Sequence, residues 1–130
     1  MVIDPSALLA ILLKEPEAEA LARAIWRGTP RLLSAAGLLE ASMVIEARLG
    51  EEGSRDLDLL IYRAGIEIVP VDVQQAEVAR VAWRRYGKGN HPAALNFGDC
   101  FSYALAKVTG GPLLFKGGDF GRTDLEAMIA

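Results

Sequence analysis

The sequence has few of the cysteine and histidine residues with which very small domains form disulfides or zinc sites. It contains one cysteine, Cys100, and one histidine, His91, in 130 residues. A structural zinc site needs about four such ligands and a disulfide needs two cysteines, so this chain can build neither. Catalytic groups that need several histidines, and thiol redox pairs, are excluded for the same reason. The longest apolar run near the start, residues 7–13, falls far short of the roughly 20 residues that cross a bilayer. We therefore expect a cytoplasmic protein with no membrane contact and no secretory signal.

The composition is that of a folded globular chain with an uneven charge distribution. Hydrophobic residues make up 52% and charged residues 24%, which excludes a disordered or low-complexity chain. The length suits one core, so we predict a single domain over residues 1–130. The net charge of −3 argues weakly against nucleic-acid binding. However, the stretch from Val78 to Gly98 has no acidic residue, which indicates a local positive patch. Its basic residues are Arg80, Arg84, Arg85 and Lys88.

Short apolar runs alternate with segments of helical period along the chain. The runs predict strands at 1–3, 32–33, 66–71 and 113–115. The helical segments predict helices at 7–13 after a Ser6 cap, 16–25, 38–49, 57–64, 73–86 and 99–108. Strands separated by helices form a parallel sheet that is covered on both faces. We therefore predict the α/β class, as a three-layer α/β/α sandwich with a central parallel sheet.

Acidic residues follow the predicted strands or begin the helices beyond them. They are Asp4, Glu40, Asp99 and Asp119. Ligands of open α/β sheets bind beyond the carboxyl ends of the strands, so we expect these side chains to meet at one edge. Two carboxylates ~4 Å apart repel by about 4 kcal/mol at an effective dielectric of ~20, which favours a bound cation. Oxygen ligands select Mg²⁺ or Mn²⁺. Such a site suits phosphodiester hydrolysis, in which the metal activates water and stabilises the leaving oxygen.

Three of these acids also have a purely structural interpretation. Asp4 and Asp99 are residues that form turns or cap helices. Asp119 follows two glycines, a context that is typical of a turn. The sequence alone leaves both interpretations open for each of them.

Glu40 is harder to explain structurally. No lysine or arginine lies three or four residues away on its helix, and an ionised carboxylate buried without a partner is very costly. Apolar residues at i+3, i+4 and i+7 predict that it lies along a buried stripe, namely Met43, Val44 and Ala47. We therefore expect a metal ion to supply the missing positive charge.

With these motifs in place, the chain resembles the PIN-domain ribonucleases, specifically the VapC toxins of bacterial toxin–antitoxin pairs. The similarity covers essentially the whole chain and lies in four ordered segments. They are MVIDPSALLA at 1–10, SAA through EA at 34–41, YGKGNH through LNFGD to YALA at 86–106, and FKGGDF through TD at 115–124. The third segment is the most specific. Pro5 is a departure, since many relatives carry threonine or another small polar residue there.

The resemblance implies that the same four acids bind Mg²⁺ or Mn²⁺ and support RNA cleavage by metal-activated water. It implies that Ser6 supports the site, although Ser6 equally suits a helix cap. Asn96 matches a family position near the site, and a turn-forming role explains it as well. The resemblance further implies an RNA substrate, a cognate VapB-like antitoxin and a homodimer. The alternative is a catalytically silent RNA- or protein-binding PIN module, which the loss of an acid would have favoured.

A second group of residues is predicted to bind RNA. Arg80, Arg84 and Lys88 stand at i, i+4 and i+8, so they form one stripe if the helix continues to Lys88. With no acid opposite, like charges at this spacing repel one another. We interpret the stripe as a path for the RNA backbone toward the metals; the alternative is a solvated helix face.

Other distinctive side chains are given structural roles. Cys100 is expected to be a small buried residue rather than a nucleophile. Three aromatic residues are expected to be core or dimer contacts rather than stacking platforms for bases. They are Trp26, Trp83 and Tyr62.

Overall fold

The computed structural model describes residues 1–118 and 120–128. Within these ranges, four short strands form one parallel sheet in the order β3-β2-β1-β4. The strands are β1 (Val2–Ile3), β2 (Leu32–Ser34), β3 (Glu67–Val69) and β4 (Leu113–Leu114). Parallel neighbours need a crossover, and helices supply each one.

Five helices make these crossovers in the described part of the chain. They are α1 (Pro5–Leu12), α2 (Ala18–Arg27), α3 (Ala35–Arg63), α4 (Val73–Tyr86) and α5 (Phe97–Thr109). At Gly50, α3 is broken by a φ of 65° and a ψ of −155°, a conformation open mainly to glycine. The two helices predicted on either side of Gly50 therefore meet at a kink. None of the helices in the described ranges is both long and apolar enough to cross a membrane.

The sheet separates two hydrophobic cores. Successive strand residues point to opposite faces, so each apolar pair in β1, β2 and β4 serves both cores. The second residue of each pair packs with α1, α2 and α3, and the first packs with α4 and α5. The pairs are Val2–Ile3, Leu32–Leu33 and Leu113–Leu114. Full burial of such a side chain contributes about 1.5–3 kcal/mol. The predicted three-layer α/β/α sandwich is confirmed.

Strand order places a crevice beside β1. This strand lies between β2 and β4, and the chain leaves β1 toward β2 before it returns on the other side as β4. Such a reversal of strand order opens a crevice at the carboxyl ends of the strands, where ligands of α/β proteins bind. Asp4 directly follows β1 and therefore lies at this crevice.

Several predicted helix ends were wrong. The N-cap of α1 is Asp4 rather than Ser6, and Pro5 occupies the first helical position, where its missing N–H costs nothing. The start of α5 is Phe97, two residues before Asp99, where the helix was predicted to begin, because Asn96 caps it. The end of α4 at Tyr86 is as predicted, so Lys88 lies beyond the helix and the condition for a single stripe with Arg80 and Arg84 is not met.

The expected burial of three aromatic residues was also wrong. Trp26, Tyr62 and Trp83 are 60%, 84% and 50% exposed, so none of them belongs to either core. Their role as dimer contacts stays a prediction. Cys100 is buried as expected, and burial together with the nearby charge of Asp99 raises the pKa of its thiol. A raised pKa disfavours the thiolate, which is the nucleophilic form.

Candidate active site

Asp4 is the buried centre of the site. Its side chain is 4% exposed and accepts hydrogen bonds at both oxygens. The backbone N–H of Ser6 donates to Oδ2 at 2.9 Å, and the hydroxyl of Ser102 donates to Oδ1 at 2.6 Å. Burial raises the pKa of the Asp4 carboxyl, and the hydrogen bonds from Ser102 and Ser6 offset part of that rise. A carboxylate in this environment gains stability from a nearby cation.

Ser102 is a site residue that sequence reasoning missed. It lies on α5 with 1% exposure and is one helical turn after Asp99. The spacing of three residues was the available signal, because it places both side chains on one face of the helix. A lone serine within an apolar helix gives no further sign of a role. The structure shows that α5 supplies both an acid and a donor.

Asp99 and Asn96 form a reciprocal capping box at the start of α5. The Asn96 side-chain oxygen accepts from the backbone N–H of Asp99 at 2.9 Å, and Oδ2 of Asp99 accepts from the backbone N–H of Asn96 at 3.0 Å. This pairing fixes the orientation of the Asp99 carboxylate. A carboxylate has about four acceptor positions, so capping is compatible with a ligand role. The predicted supporting position of Asn96 thus has a concrete basis.

Glu40 does not lie where the sequence predicted. The buried face of α3 contains Gly37, Ala41 and Ile45, whereas Met43 and Glu40 itself are exposed. The expectation of a buried stripe through Glu40 was therefore wrong. Two apolar stripes run along this helix, and helical period alone does not tell which one meets the core.

The Glu40 carboxyl nonetheless reaches the other acids. It lies against Gly98, such that a Cβ atom at that position would collide with Oε1 of Glu40. Partial burial of the carboxyl, followed by the negative charges of Asp4 and Asp99, raises the pKa of Glu40. The three acids therefore share one electrostatic environment, as their positions at strand and helix ends predicted.

The fourth predicted acid, Asp119, lies outside the described residues. The segment before it is tied to the start of α1, because the backbone N–H of Lys116 donates to the Ser6 hydroxyl at 3.0 Å. The ammonium of Lys116 also forms an ion pair with Glu15, and the Glu17 carboxylate lies 3.8 Å from the same ammonium. The backbone N–H of Ser6 also donates to the Asp4 carboxylate, at 2.9 Å. Ser6 thus joins the loops that follow β1 and β4, which explains a supporting role better than a capping one.

The basic residues are arranged differently from the predicted stripe. Arg80 donates to both oxygens of Glu77, at 3.1 and 3.2 Å. The expectation that no acid opposes the stripe was therefore wrong. Arg84 contacts the backbone carbonyl of Arg80 at 3.4 Å, and Lys88 lies beyond the end of α4. Exposed pairs of this kind contribute only about 0–1 kcal/mol, so Arg80 can exchange Glu77 for a phosphate at small cost.

A groove between α4 and α5 lies beside these residues. We call it the α4–α5 groove. Its volume is about 590 Å³, and its lining includes Arg80, Trp83, Arg84, Phe97 and Phe101. The lining is mostly apolar, with arginine side chains from α4 at one wall. The groove reaches the start of α5, where Asp99 is held.

The donor set fits a hard divalent cation but is incomplete within the described ranges. Carboxylate and hydroxyl oxygens are the ligands that Mg²⁺ and Mn²⁺ prefer. Burial raises the pKa of both Asp4 and Glu40, and the charges of Asp4 and Asp99 raise that of Glu40 further, so a nearby cation would stabilise the ionised carboxylates. Among residues 1–118 and 120–128, no group of three or more His, Cys, Asp or Glu residues is placed to hold an ion alone.

Comparison with known proteins identifies the class. A family model of the PIN domain matches residues 1–126. Ribonuclease VapC of Mycolicibacterium smegmatis is 58% identical over 128 residues, which cover 98% of this chain and 99% of that protein. Ribonuclease VapC30 of Mycobacterium tuberculosis is 56% identical over 125 residues, covering 96% of this chain and 95% of that protein.

Solved structures share the fold at low identity. The crystal structure of Mycobacterium tuberculosis VapC20, described as a Sarcin-Ricin loop cleaving toxin, has a TM-score of 0.81 at 16% identity. The superposition covers 99% of this chain and 98% of the VapC20 chain. The crystal structure of VapBC2 from Rickettsia felis, bound to a DNA fragment from their promoter, has a TM-score of 0.74 at 12% identity. This match covers 97% of this chain and 94% of that chain. The chain therefore belongs to the PIN-domain family. Within that family it belongs with the VapC ribonucleases, and the resemblance seen in the sequence is confirmed.

Proposed function

We propose that this protein is a Mg²⁺- or Mn²⁺-dependent endoribonuclease that acts as the toxin of a type II toxin–antitoxin pair. The observation that carries the proposal is the common electrostatic environment of Asp4, Glu40 and Asp99, which come from three different elements. Such crowding is unfavourable unless a cation is bound, and it lies at the crevice where this fold binds ligands. Relatives that are 56–58% identical over nearly their whole length are named ribonucleases, which supports the same activity here.

We propose Asp4, Glu40, Asp99 and Asp119 as the catalytic residues and metal ligands. A hard divalent ion bound by them would offset their charge and act as a Lewis acid toward the scissile phosphate. Ser102 and Ser6 hold the Asp4 carboxylate in place, and Asn96 orients Asp99. Among the described acids, Glu40 combines exposure with a raised pKa. Those properties suit a group that accepts the proton of the attacking water.

The proposed partners are RNA, a VapB-like antitoxin and a second copy of the chain. The Rickettsia felis structure is of VapBC2 with promoter DNA, which supports a partner of the VapB type. Arg80, Arg84 and Lys88 are proposed to contact RNA phosphates, with Arg80 exchanging its bond to Glu77. The cytoplasm, where RNA and such pairs occur, is the proposed location.

Asp99→Asn tests the proposal directly. Asparagine keeps the shape of the side chain and an oxygen that can accept from Asn96, but it removes the charge. We expect cleavage of single-stranded RNA with Mg²⁺ to be abolished, while circular dichroism and the melting temperature stay close to wild type. Asp58→Asn, at an exposed position of α3, is the matched control and should cleave normally.

Two results would contradict the proposal. Full cleavage by a folded Asp99→Asn protein would exclude Asp99 from the machinery. A wild-type protein that binds RNA but does not cleave it with either Mg²⁺ or Mn²⁺ would favour the catalytically silent module.

A further inference from the structure

The α4–α5 groove presents unusual aromatic surface close to the acids. Phe97 is 80% exposed although it occupies the first position of α5, between Asn96 and Gly98. Trp83 faces the same groove from α4. Isolated exposed apolar side chains are common on protein surfaces and need no explanation. Here, however, several aromatic rings line one cavity of about 590 Å³.

The aromatic rings on α5 are held in a defined arrangement. The centroids of Phe97 and Phe101 lie 4.9 Å apart with an interplanar angle of 85°. This edge-to-face packing is a favourable geometry for an aromatic pair. It fixes the orientation of the Phe97 ring while leaving most of its surface open. An open ring of fixed orientation is the feature on which a planar ligand can stack.

The charge around the groove favours a polyanion. Arg80 and Arg84 line it, and no acidic residue occurs from Val78 to Gly98. Aromatic rings that stack bases, next to cations that follow the backbone, are the two elements of single-stranded nucleic-acid binding. The groove also lies beside the proposed active site, because Phe97 lines it and the next residue, Gly98, lies against the Glu40 carboxyl. An uncharged apolar partner would explain the rings but not the arginines.

We propose that the α4–α5 groove binds a nucleobase of the single-stranded RNA substrate, stacked on Phe97, with Trp83 and Phe101 completing the apolar wall. Arg80 and Arg84 contact the phosphates that flank this base. The groove thereby positions the neighbouring phosphodiester at the acids. This inference rests on the proposed function in taking RNA as the substrate. It replaces the expectation that Trp83 is a core or dimer contact.

The test compares strands with and without bases. We use a labelled single-stranded RNA of about ten nucleotides, within the usual site sizes of such proteins, and an abasic ribose-phosphate strand of equal length. Binding is measured in EDTA to prevent cleavage. We expect Phe97→Ala to weaken RNA binding about tenfold, an ordinary effect for a stacking residue, and to leave binding of the abasic strand unchanged. Phe97→Tyr should retain the affinity of wild type.

A matched control and a second readout make the test specific. Tyr62 is 84% exposed, much like Phe97, but it lies near the end of α3 and does not line the groove. Tyr62→Ala should bind both strands normally. The chain has two tryptophans, so Trp83 is the only one in a Trp26→Phe variant. RNA should quench its fluorescence, and the abasic strand should not.

Three outcomes would overturn the inference. The first is wild-type RNA affinity in Phe97→Ala, and the second is an equal loss for both strands. The third is dissociation of a dimer by Phe97→Ala in light scattering with unchanged preference for bases, which would assign the groove to a second copy. Cleavage assays on the same wild-type sample separate the two proposals. A base preference that depends on Phe97 without any cleavage would refute the proposed nuclease while supporting the groove.

Discussion

The hydroxyl of Ser102 donates a hydrogen bond of 2.6 Å to Oδ1 of Asp4 across 98 positions of sequence. Both side chains are buried, so the bond is shielded from water. It joins the second turn of α5 to the end of β1. The acids on these elements, Asp4 and Asp99, are thereby held in a fixed relation to one another.

Ser102→Ala therefore affects both stability and activity. It leaves a buried carboxylate oxygen without its donor, and such a loss costs about 1–3 kcal/mol. Because the Ser102 bond lowers the pKa of Asp4, its removal raises that pKa further. We expect a lower free energy of unfolding by urea denaturation and an acid limb of the pH–rate profile that moves to higher pH. Ser42→Ala, which removes a bond only to the Leu38 carbonyl of its own helix, should leave the pH–rate profile unchanged.

The stability of the metal-free protein is expected to depend on pH. Burial raises the pKa of Asp4 and of Glu40 above their values in the unfolded chain, so the folded state binds more protons. Their contribution to stability is therefore fully present below about pH 4 and is lost as the pH rises through the raised pKa values. In EDTA, the difference in unfolding free energy between pH 4 and pH 8 should be smaller in Asp4→Asn than in wild type. Equal pH dependence in both proteins would contradict this.

Added metal should reverse that loss. An ion that binds only the folded state stabilises it by mass action, by about 2.7 kcal/mol at 100 times its dissociation constant. At pH 8 we expect Mg²⁺ or Mn²⁺ to raise the melting temperature of wild type and to raise that of Asp4→Asn less. An identical rise in the two proteins would mean that the ion binds elsewhere.

Gly98→Ala separates activity from stability. Alanine is a better helix former than glycine by about 1 kcal/mol, but its Cβ would occupy the space of the Glu40 carboxyl. That carboxyl ends an exposed, flexible side chain and can move away. We expect unchanged or slightly higher stability with at least about tenfold slower cleavage. In a Glu40→Ala background the same change should have no further effect on the rate, since interacting sites are not additive. A further loss there would show that Gly98 acts by another route.

The ion pair of Arg80 predicts a gain of function. Glu77→Gln releases Arg80 and removes a negative charge beside the groove. We expect tighter RNA binding and a steeper salt dependence, by about 0.7 in the logarithmic slope for each added contact to a single-strand phosphate. Glu46→Gln, at an exposed position of α3, is the control for net charge.

The converse change tests the same surface. The triple variant Arg80→Gln, Arg84→Gln and Lys88→Gln should bind RNA more weakly, and its RNA affinity should depend less steeply on salt. If the RNA affinity and its salt dependence are both unchanged in the triple variant, these residues are only a solvated surface.

Much of the fold could be predicted because its signals are local. Apolar pairs such as Leu32–Leu33 and Leu113–Leu114, separated by helical segments, predict a covered parallel sheet, and both pairs proved to be buried in strands. Helix ends were less accurate. The early start of α5 has a signal that was overlooked, since Asn96 and Asp99 have the spacing of a capping box. The end of α4 at Tyr86 was predicted correctly, because the glycines and the proline that follow it indicate a loop.

The site was predicted only in part because its other contacts come from the tertiary structure. Strand and helix ends that meet at one edge of the sheet predicted that the acids lie together, and the charges of Asp4 and Asp99 both act on Glu40. The bond between Ser102 and Asp4 joins elements far apart in sequence and leaves no pattern in either. Glu40 was assigned to the wrong face of α3 because that helix has two apolar stripes.

The shortness of the strands has a mechanical consequence for catalysis. β1 has two residues. At about 3.3 Å per residue, its length is less than the roughly 10 Å that separates packed layers. Ile3, which is fully buried, is covalently adjacent to Asp4. A change of packing around Ile3 therefore moves the carboxylate almost directly, with no length of strand to absorb the displacement. The packing of the hydrophobic core and the position of the proposed metal-binding carboxylate are thus coupled in this protein.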